Sequence, residues 1–189
     1  MQGLIEEVAP CPKSKCRVLI PGCGNSALSR DMIQDGYGSV KNIDWSQVCI
    51  DNMSRLDPKG EYEKMDARNL TFRDNSFDLV IAKGLIDSLS CGENYVQHIS
   101  QTLHEIHRVL SEDGTLMCIS YAAPEQRRWH FEGEQPGEFS WSVDTLTVPK
   151  PTLPTMDIKM RGDDPYVLIF YYSSLDFYFS CTYNFFFGK

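Results

Sequence analysis

The chain has 189 residues, 42% of them apolar and 23% charged, with a formal net charge of −8. That length carries one domain around one buried core and excludes a cofactor domain joined to a separate substrate domain. The composition excludes a disordered or low-complexity chain, and the acidic balance, with no Lys/Arg run interleaved with aromatics, opposes binding to nucleic-acid phosphates and favours a basic protein or a small molecule as substrate.

The opening stretch MQGLIEEVAPCPKSKC lacks the basic segment and apolar run of a secretory signal, so a cytoplasmic protein is expected. Seven cysteines (Cys11, Cys16, Cys23, Cys49, Cys91, Cys118 and Cys181) are odd in number and irregularly spaced, which reads as reduced thiols. Cys11 and Cys16 lack a second Cys or His pair at ligand spacing, so no metal site is expected.

Arg17 to Ile20 is a short apolar run ended by Pro21-Gly22, a strand entering a tight loop. A helix follows, capped by Asn25 or Ser26, with Ala27, Leu28, Met32 and Ile33 as its apolar stripe and Gly36 and Gly38 ending it. Val40 to Ile43 repeats the strand; a second helix runs from Ser46 to about Leu56 with Val48, Ile50 and Met53 as its apolar positions, and a third strand lies near Tyr62 to Met65. Phe77 to Ala82 is the fourth strand. From Tyr95 to Leu110 the apolar positions Val96, Ile99, Leu103, Ile106, Val109 and Leu110 fall at helical spacing, after which Asp113-Gly114 turns the chain.

Leu116 to Tyr121 is the fifth strand and Pro124 to His130 a short helix or turn. Phe139 to Val148 alternates as a sixth strand, Pro149, Pro151 and Pro154 mark a loop, and Tyr166 to Tyr172 forms a seventh. The alternation predicts an α/β fold: a Rossmann-like three-layer sandwich with a mostly parallel seven-stranded sheet whose last strand is antiparallel. The domain is expected to span residues 1–172. Residues 173–189 form an aromatic tail, and no membrane span is expected because the aromatic run from Tyr166 to Phe187 is interrupted by Asp176, Asn184 and several Ser.

The loop Pro21-Gly22-Cys23-Gly24-Asn25-Ser26 lets a ligand approach the backbone between a strand and a helix. Gly22-x-Gly24-x-x-Ala27, with Asp44 twenty residues past Gly24, also fits a dinucleotide fingerprint, which leaves a nicotinamide-dependent oxidoreductase open. Asp66 favours the other reading: acids ending consecutive strands suit adenosylmethionine, Asp44 at the ribose and Asp66 at the adenine amino group.

The segments VLIPGCGNSALS, IDWS, MDAR, FDLVIAKGLIDSL and ISYAAPEQR resemble, in order and spacing from about Leu4 to Pro124, seven-stranded S-adenosylmethionine-dependent methyltransferases, in particular the methyltransferase-like family that includes elongation factor 1-alpha lysine methyltransferases. The resemblance implies S-adenosylmethionine as cofactor, protein-lysine methylation as activity and a protein such as elongation factor 1-alpha as substrate partner. It implies cofactor contacts from Gly22, Gly24 and Asn25 at the methionine end, Asp44 and Trp45 at the ribose and adenine, Asp66 and Ala67 at the adenine, and Lys83 beyond the fourth strand. Asp87, a helical turn later, is the expected catalytic carboxylate, orienting a substrate amine.

Ile20 stands where many such enzymes carry an acid, and Ala82 stands where this family usually has Asp or Glu. Sixteen residues precede Arg17, none of them Trp or Tyr, so the aromatic segment that covers the methionine moiety in the family is expected to be missing and the pocket open on one side. A non-catalytic relative acting as a binding module is the competing reading. The helix histidines His98, His104 and His107 and the pair Arg127 and Arg128 are read as solvated surface groups.

Overall fold

The computed structural model describes residues 2–133, 138–149 and 166–173. A short helix absent from the sequence reading, α1 (Gln2–Val8), leads into β1 (Arg17–Pro21). Then follow α2 (Leu28–Gln34), β2 (Ser39–Asp44), α3 (Gln47–Leu56), β3 (Glu61–Lys64), β4 (Phe77–Lys83), a second unanticipated helix α4 (Leu85–Leu89), α5 (Tyr95–Val109), β5 (Leu110–Ser120) and α6 (Pro124–Glu132). Ser142–Pro149 (β6) and Tyr166–Ser173 (β7) are extended. The tail assigned to residues 173–189 falls, from 174 on, outside the described residues.

Five strands form a parallel sheet in the order β3-β2-β1-β4-β5. Because strand side chains alternate between faces, each buried strand feeds two apolar layers. Leu19, Val80, Ala82, Leu116 and Cys118 pack with Ile86, Ile99, Leu103, Ile106, Val109 and Phe131, beneath α4, α5 and α6. Val18, Ile20, Leu79, Ile81, Met117 and Ile119 pack with Ile5, Met32 and Ile50, beneath α1, α2 and α3. Helices on both faces give the three layers of a Rossmann-like fold.

Several local expectations are corrected. Neither Asn25 nor Ser26 is the N-cap of α2; Ala27 holds that position without a side-chain cap, and Ser26 Oγ accepts from Leu28 N at 3.3 Å. Val48 is 70% exposed, because only Ile50 and Met53 of α3 face the sheet. Asp113-Gly114 does not close a turn before β5. It lies within that strand, where the pairing slips from Phe77 opposite Leu110 to Leu79 opposite Thr115, and Leu110 begins the strand instead of ending α5.

Arg108 ties α5 to the loop that enters β4. Its guanidinium donates to the Leu70 carbonyl at 2.9 Å, the Phe72 carbonyl at 2.8 Å and Asp74 at 2.7 Å, and it pairs with Glu105 at 2.7 Å. Glu105 in turn accepts from Leu70 N at 2.6 Å, so one ion pair satisfies the backbone of an irregular segment.

Two measurements check this packing. Leu103, fully buried on the inner face of α5, should cost about 2–5 kcal/mol of unfolding free energy when changed to Ala, read by urea denaturation. His130 on α6 is 7% exposed and stacked on Trp129 at 3.6 Å; burial pushes its imidazole down to about 4. The neutral ring therefore stabilises the fold fully above the free value of about 6.5, and that contribution is lost as pH falls from there toward about 4. The stability of the wild type should fall more steeply across that window than that of His130→Asn.

Candidate functional site at the carboxyl edge of the sheet

The chain winds outward from β1 to β3 in one direction and from β4 to β5 in the other, so β1 and β4 flank the point where the winding reverses. The loops leaving them diverge, and a crevice opens at the carboxyl edge, the place where open α/β sheets take ligands. Gly22 (φ +64°) and Gly24 (φ +52°) carry the turn after β1 in the left-handed region. A Cβ at Gly22 would stand 3.0 Å from Leu85 Cδ1, so the two loops meet closely there. A Cβ at Gly24 would meet no heavy atom within 4 Å: the backbone at that point faces open space.

Asp44, ending β2, fixes the shape of the first loop. Its Oδ2 accepts from Gly24 N at 3.0 Å and its Oδ1 from Ser46 N at 3.0 Å, while its carbonyl accepts from Met65 N at 3.0 Å. Each carboxylate oxygen has two acceptor directions and spends one on the backbone, leaving capacity for another donor. Ser46 Oγ, as N-cap of α3, accepts from Cys49 N at 3.3 Å.

Trp45 is 78% exposed, which rules out a core-packing role for its indole. Asp66, just past β3, accepts from Arg68 N at 2.9 Å and from the Arg68 guanidinium at 2.7 to 3.1 Å; that ion pair holds its carboxyl below the usual range. Ala67 is half-buried beside it, Asn25 is exposed in the first loop and Lys83 is exposed at the end of β4. The predicted residues of four separate segments thus come to one edge of the sheet. Ala82 is 1% exposed within an apolar layer, so an acid at that position would enter the core as the strand is built here.

Asp87 on α4 sits between the end of β5 and α6. Ser120 Oγ donates to its Oδ1 at 2.5 Å, Tyr121 N donates to its Oδ2 at 3.0 Å, and Arg127 Nη2 approaches Oδ1 at 3.5 Å. Arg127 is consequently not a surface charge: its side chain is only 16% exposed. Nothing in the linear spacing links Asp87 with Arg127; only the parallel placement of β4 and β5 does. His104 is exposed, as expected. His107 is half-buried against Ser140 Oγ (3.0 Å), Phe139 and Trp141, and burial pushes its pKa down, so the surface reading of that residue is corrected.

A cleft of about 530 Å³ lies at the opposite, amino edge, lined by Cys11, Arg17, Asn75, Asp78 and Ser111 among others. It holds none of the predicted site residues, and of its three carboxylates Asp78 is already engaged by Arg17, with Glu112 and Asp113 also on its lining. Tyr37 and Lys41 have the Tyr-x-x-x-Lys spacing used by some short-chain oxidoreductases. Tyr37 is buried before β2, at that same far edge, and Lys41 pairs with Glu61 at 2.5 Å, so the pair lies away from the crevice.

A family model described as a methyltransferase domain matches residues 19–118. "EEF1A lysine methyltransferase 4" of Bos taurus is 35% identical over 142 residues, 69% of this chain and 54% of that protein. The "eEF1A lysine and N-terminal methyltransferase" of Homo sapiens is 37% identical over 116 residues, 58% of this chain and 17% of that protein. The chain thus spans about half the length of the first of these relatives or less. Among solved structures, a SAM-dependent methyltransferase from Methanosarcina mazei superposes with a TM-score of 0.67 at 16% identity, covering 91% of this chain and 97% of that one. The [4+2]-cyclase SpnF does so with a TM-score of 0.67 at 18% identity, covering 90% and 79%. Such likenesses are of fold, and they show that the fold serves more than one chemistry. The family match spans more than half of the chain: this protein belongs to the methyltransferase domain family.

Proposed function

We propose that this chain is an S-adenosylmethionine-dependent methyltransferase that modifies a lysine on a protein, with a translation elongation factor of the 1-alpha type as the candidate substrate. The observation that carries the reading is the Asp44 carboxylate at the end of β2, fixed by Gly24 N and Ser46 N beside the crevice with acceptor capacity left over. The names of the relatives support the substrate class. The domain spans residues 1–172 in this reading and works in the cytoplasm; among the described residues no helix is long and apolar enough to cross a membrane. Its sheet is completed to seven strands with the last antiparallel, supported by the ladders that set Leu168–Ser173 against β5 and β6 against β7.

The crevice fits the cofactor. Gly22 and Gly24 admit the methionine end to the backbone, where open space lies over Gly24, and Asn25 borders it. Asp44 accepts from the ribose hydroxyls, the exposed face of Trp45 stacks against adenine, and Asp66 with Ala67 meets the adenine edge, Asp66 sharing its carboxylate with Arg68. Lys83 flanks the other side. Bound S-adenosylmethionine supplies a methyl group already activated on its sulfonium, so the protein's task is to align a neutral amine and exclude water. Asp87, oriented by Ser120, Tyr121 N and Arg127, is the carboxylate we assign to orienting that amine. The same three donors favour a second reading, a nucleoside-binding module without transfer, in which Asp87 only braces the end of β5.

Calorimetry should show S-adenosylmethionine binding, weakened at least about 100-fold by Asp44→Ala through the loss of hydrogen bonds to a charged acceptor. Equal binding by the variant would remove Asp44 from the site. Transfer of labelled methyl to elongation factor 1-alpha should fall about 100-fold in Asp87→Asn with cofactor affinity unchanged. Binding without any transfer by the wild type would select the module reading.

A further inference from the structure

The thiols of Cys23 and Cys49 gather at the Asp44 carboxylate, and the three ligand atoms all lie within 4.8 Å of one another. We propose that Cys23, Cys49 and Asp44 form a site for a thiophilic divalent cation such as Zn²⁺, whose occupancy excludes the nucleoside from the crevice.

The three groups come from separately fixed segments. Cys23 is held between the two left-handed glycines, with its N–H donated to the Ile43 carbonyl at 3.0 Å. Asp44 is pinned by two amides, and Cys49 lies in the first turn of α3 with its N–H on Ser46 Oγ. Two sulfurs and one oxygen suit zinc or cadmium and not magnesium or calcium, which take oxygen ligands. Bond lengths of about 2.3 Å to sulfur and about 2.1 Å to oxygen in a tetrahedral shell put the ligand atoms roughly 3.5–3.8 Å apart, within reach by small side-chain rotations. Cys23 is buried and Cys49 half-buried, so a cation reaches the site from the α3 side, and a fourth position is left for water.

The chain offers a contrasting cluster, Cys11, Cys16 and Asp78. There the carboxylate takes three bonds from Arg17 at 2.7 to 3.0 Å and one from Ser111 at 3.2 Å, so a cation would sit against a guanidinium. Among the described residues no guanidinium or ammonium pairs with Asp44, which accepts from the backbone amides of Gly24 and Ser46.

Binding displaces both thiol protons: one divalent cation and two thiols give one dithiolate complex and two protons. Burial pushes the Cys23 thiol up to about 12 and raises that of Cys49, so affinity should climb about 100-fold per pH unit near neutrality. An Asp44 oxygen bonded to the cation is withdrawn from the ribose. This exclusion rests on the cofactor reading above; the cation site itself does not.

The full chain, reduced and metal-free, is titrated with Co²⁺ as the spectroscopic probe, then with Zn²⁺. One equivalent of Co²⁺ should give a near-ultraviolet thiolate charge-transfer band that Zn²⁺ removes. Cys49→Ser, at a half-buried position that spares the core, should weaken the band's formation at least about 100-fold, and Cys11→Ser should leave it intact. A band kept in Cys49→Ser or lost in Cys11→Ser overturns the site, as does the lack of a one-equivalent band. One equivalent of Zn²⁺ should suppress S-adenosylmethionine binding by calorimetry in the wild type and not in Cys49→Ser. Unchanged cofactor affinity with zinc bound overturns the exclusion alone; no cofactor binding in metal-free protein overturns the functional reading while the cobalt band still decides the cation site.

Discussion

The Asp44 carboxylate holds the crevice together. By accepting one amide from the glycine loop after β1 and another from the start of α3, it converts two loops from neighbouring βα units into one wall. The loop could not take this path with ordinary side chains at Gly22 and Gly24, and Asp44 could not reach both amides unless β1 and β2 ran parallel and in register from Arg17 opposite Ser39 to Pro21 opposite Ile43. The shape of the site is therefore a consequence of sheet topology, and the sheet's topology of apolar strands buried on both faces.

On the other side of the winding reversal, a carboxylate plays a similar part. Asp87 collects Ser120 Oγ, Tyr121 N and Arg127, fastening α4, β5 and α6 at the same edge. Each half of the crevice is thus organised by an acid, Asp44 through two backbone amides and Asp87 through one amide, a hydroxyl and a guanidinium. The two differ in what else surrounds them: Asp44 faces neutral donors and an exposed indole, while Asp87 lies against a largely buried guanidinium. That difference leaves the first with acceptor capacity toward the crevice and ties the second to the neighbouring elements.

Much of this was legible in the sequence. Short apolar runs ended by Pro21-Gly22, Asp44 and Lys83-Gly84 mark strand ends, and strand ends are where α/β folds place their chemistry, so the alternation pointed to these loops while the individual cofactor contacts came from the family resemblance. What escaped depends on contacts between distant segments. α4 is five residues long and carries too little pattern to be read. The burial of Arg127 needs its pairing with Asp87, and that of His107 needs the Phe139 to Trp141 segment. Linear spacing groups Cys11 with Cys16 but cannot show that Cys23 and Cys49 meet beside Asp44. The slip at Asp113-Gly114 is likewise a property of strand pairing, where a turn dipeptide is absorbed as an irregularity in β5.

That the crevice at the carboxyl edge is the nucleoside site is tested most directly by mapping amide chemical shifts in the isotopically labelled chain as S-adenosylmethionine is added. Shifts should concentrate at Gly22 to Ser26, at Asp44 to Ser46, at Asp66 to Arg68 and at Lys83 to Gly84. Shifts gathered instead around Cys11, Asn75 and Asp78 at the amino edge, or no shifts at all, would contradict it.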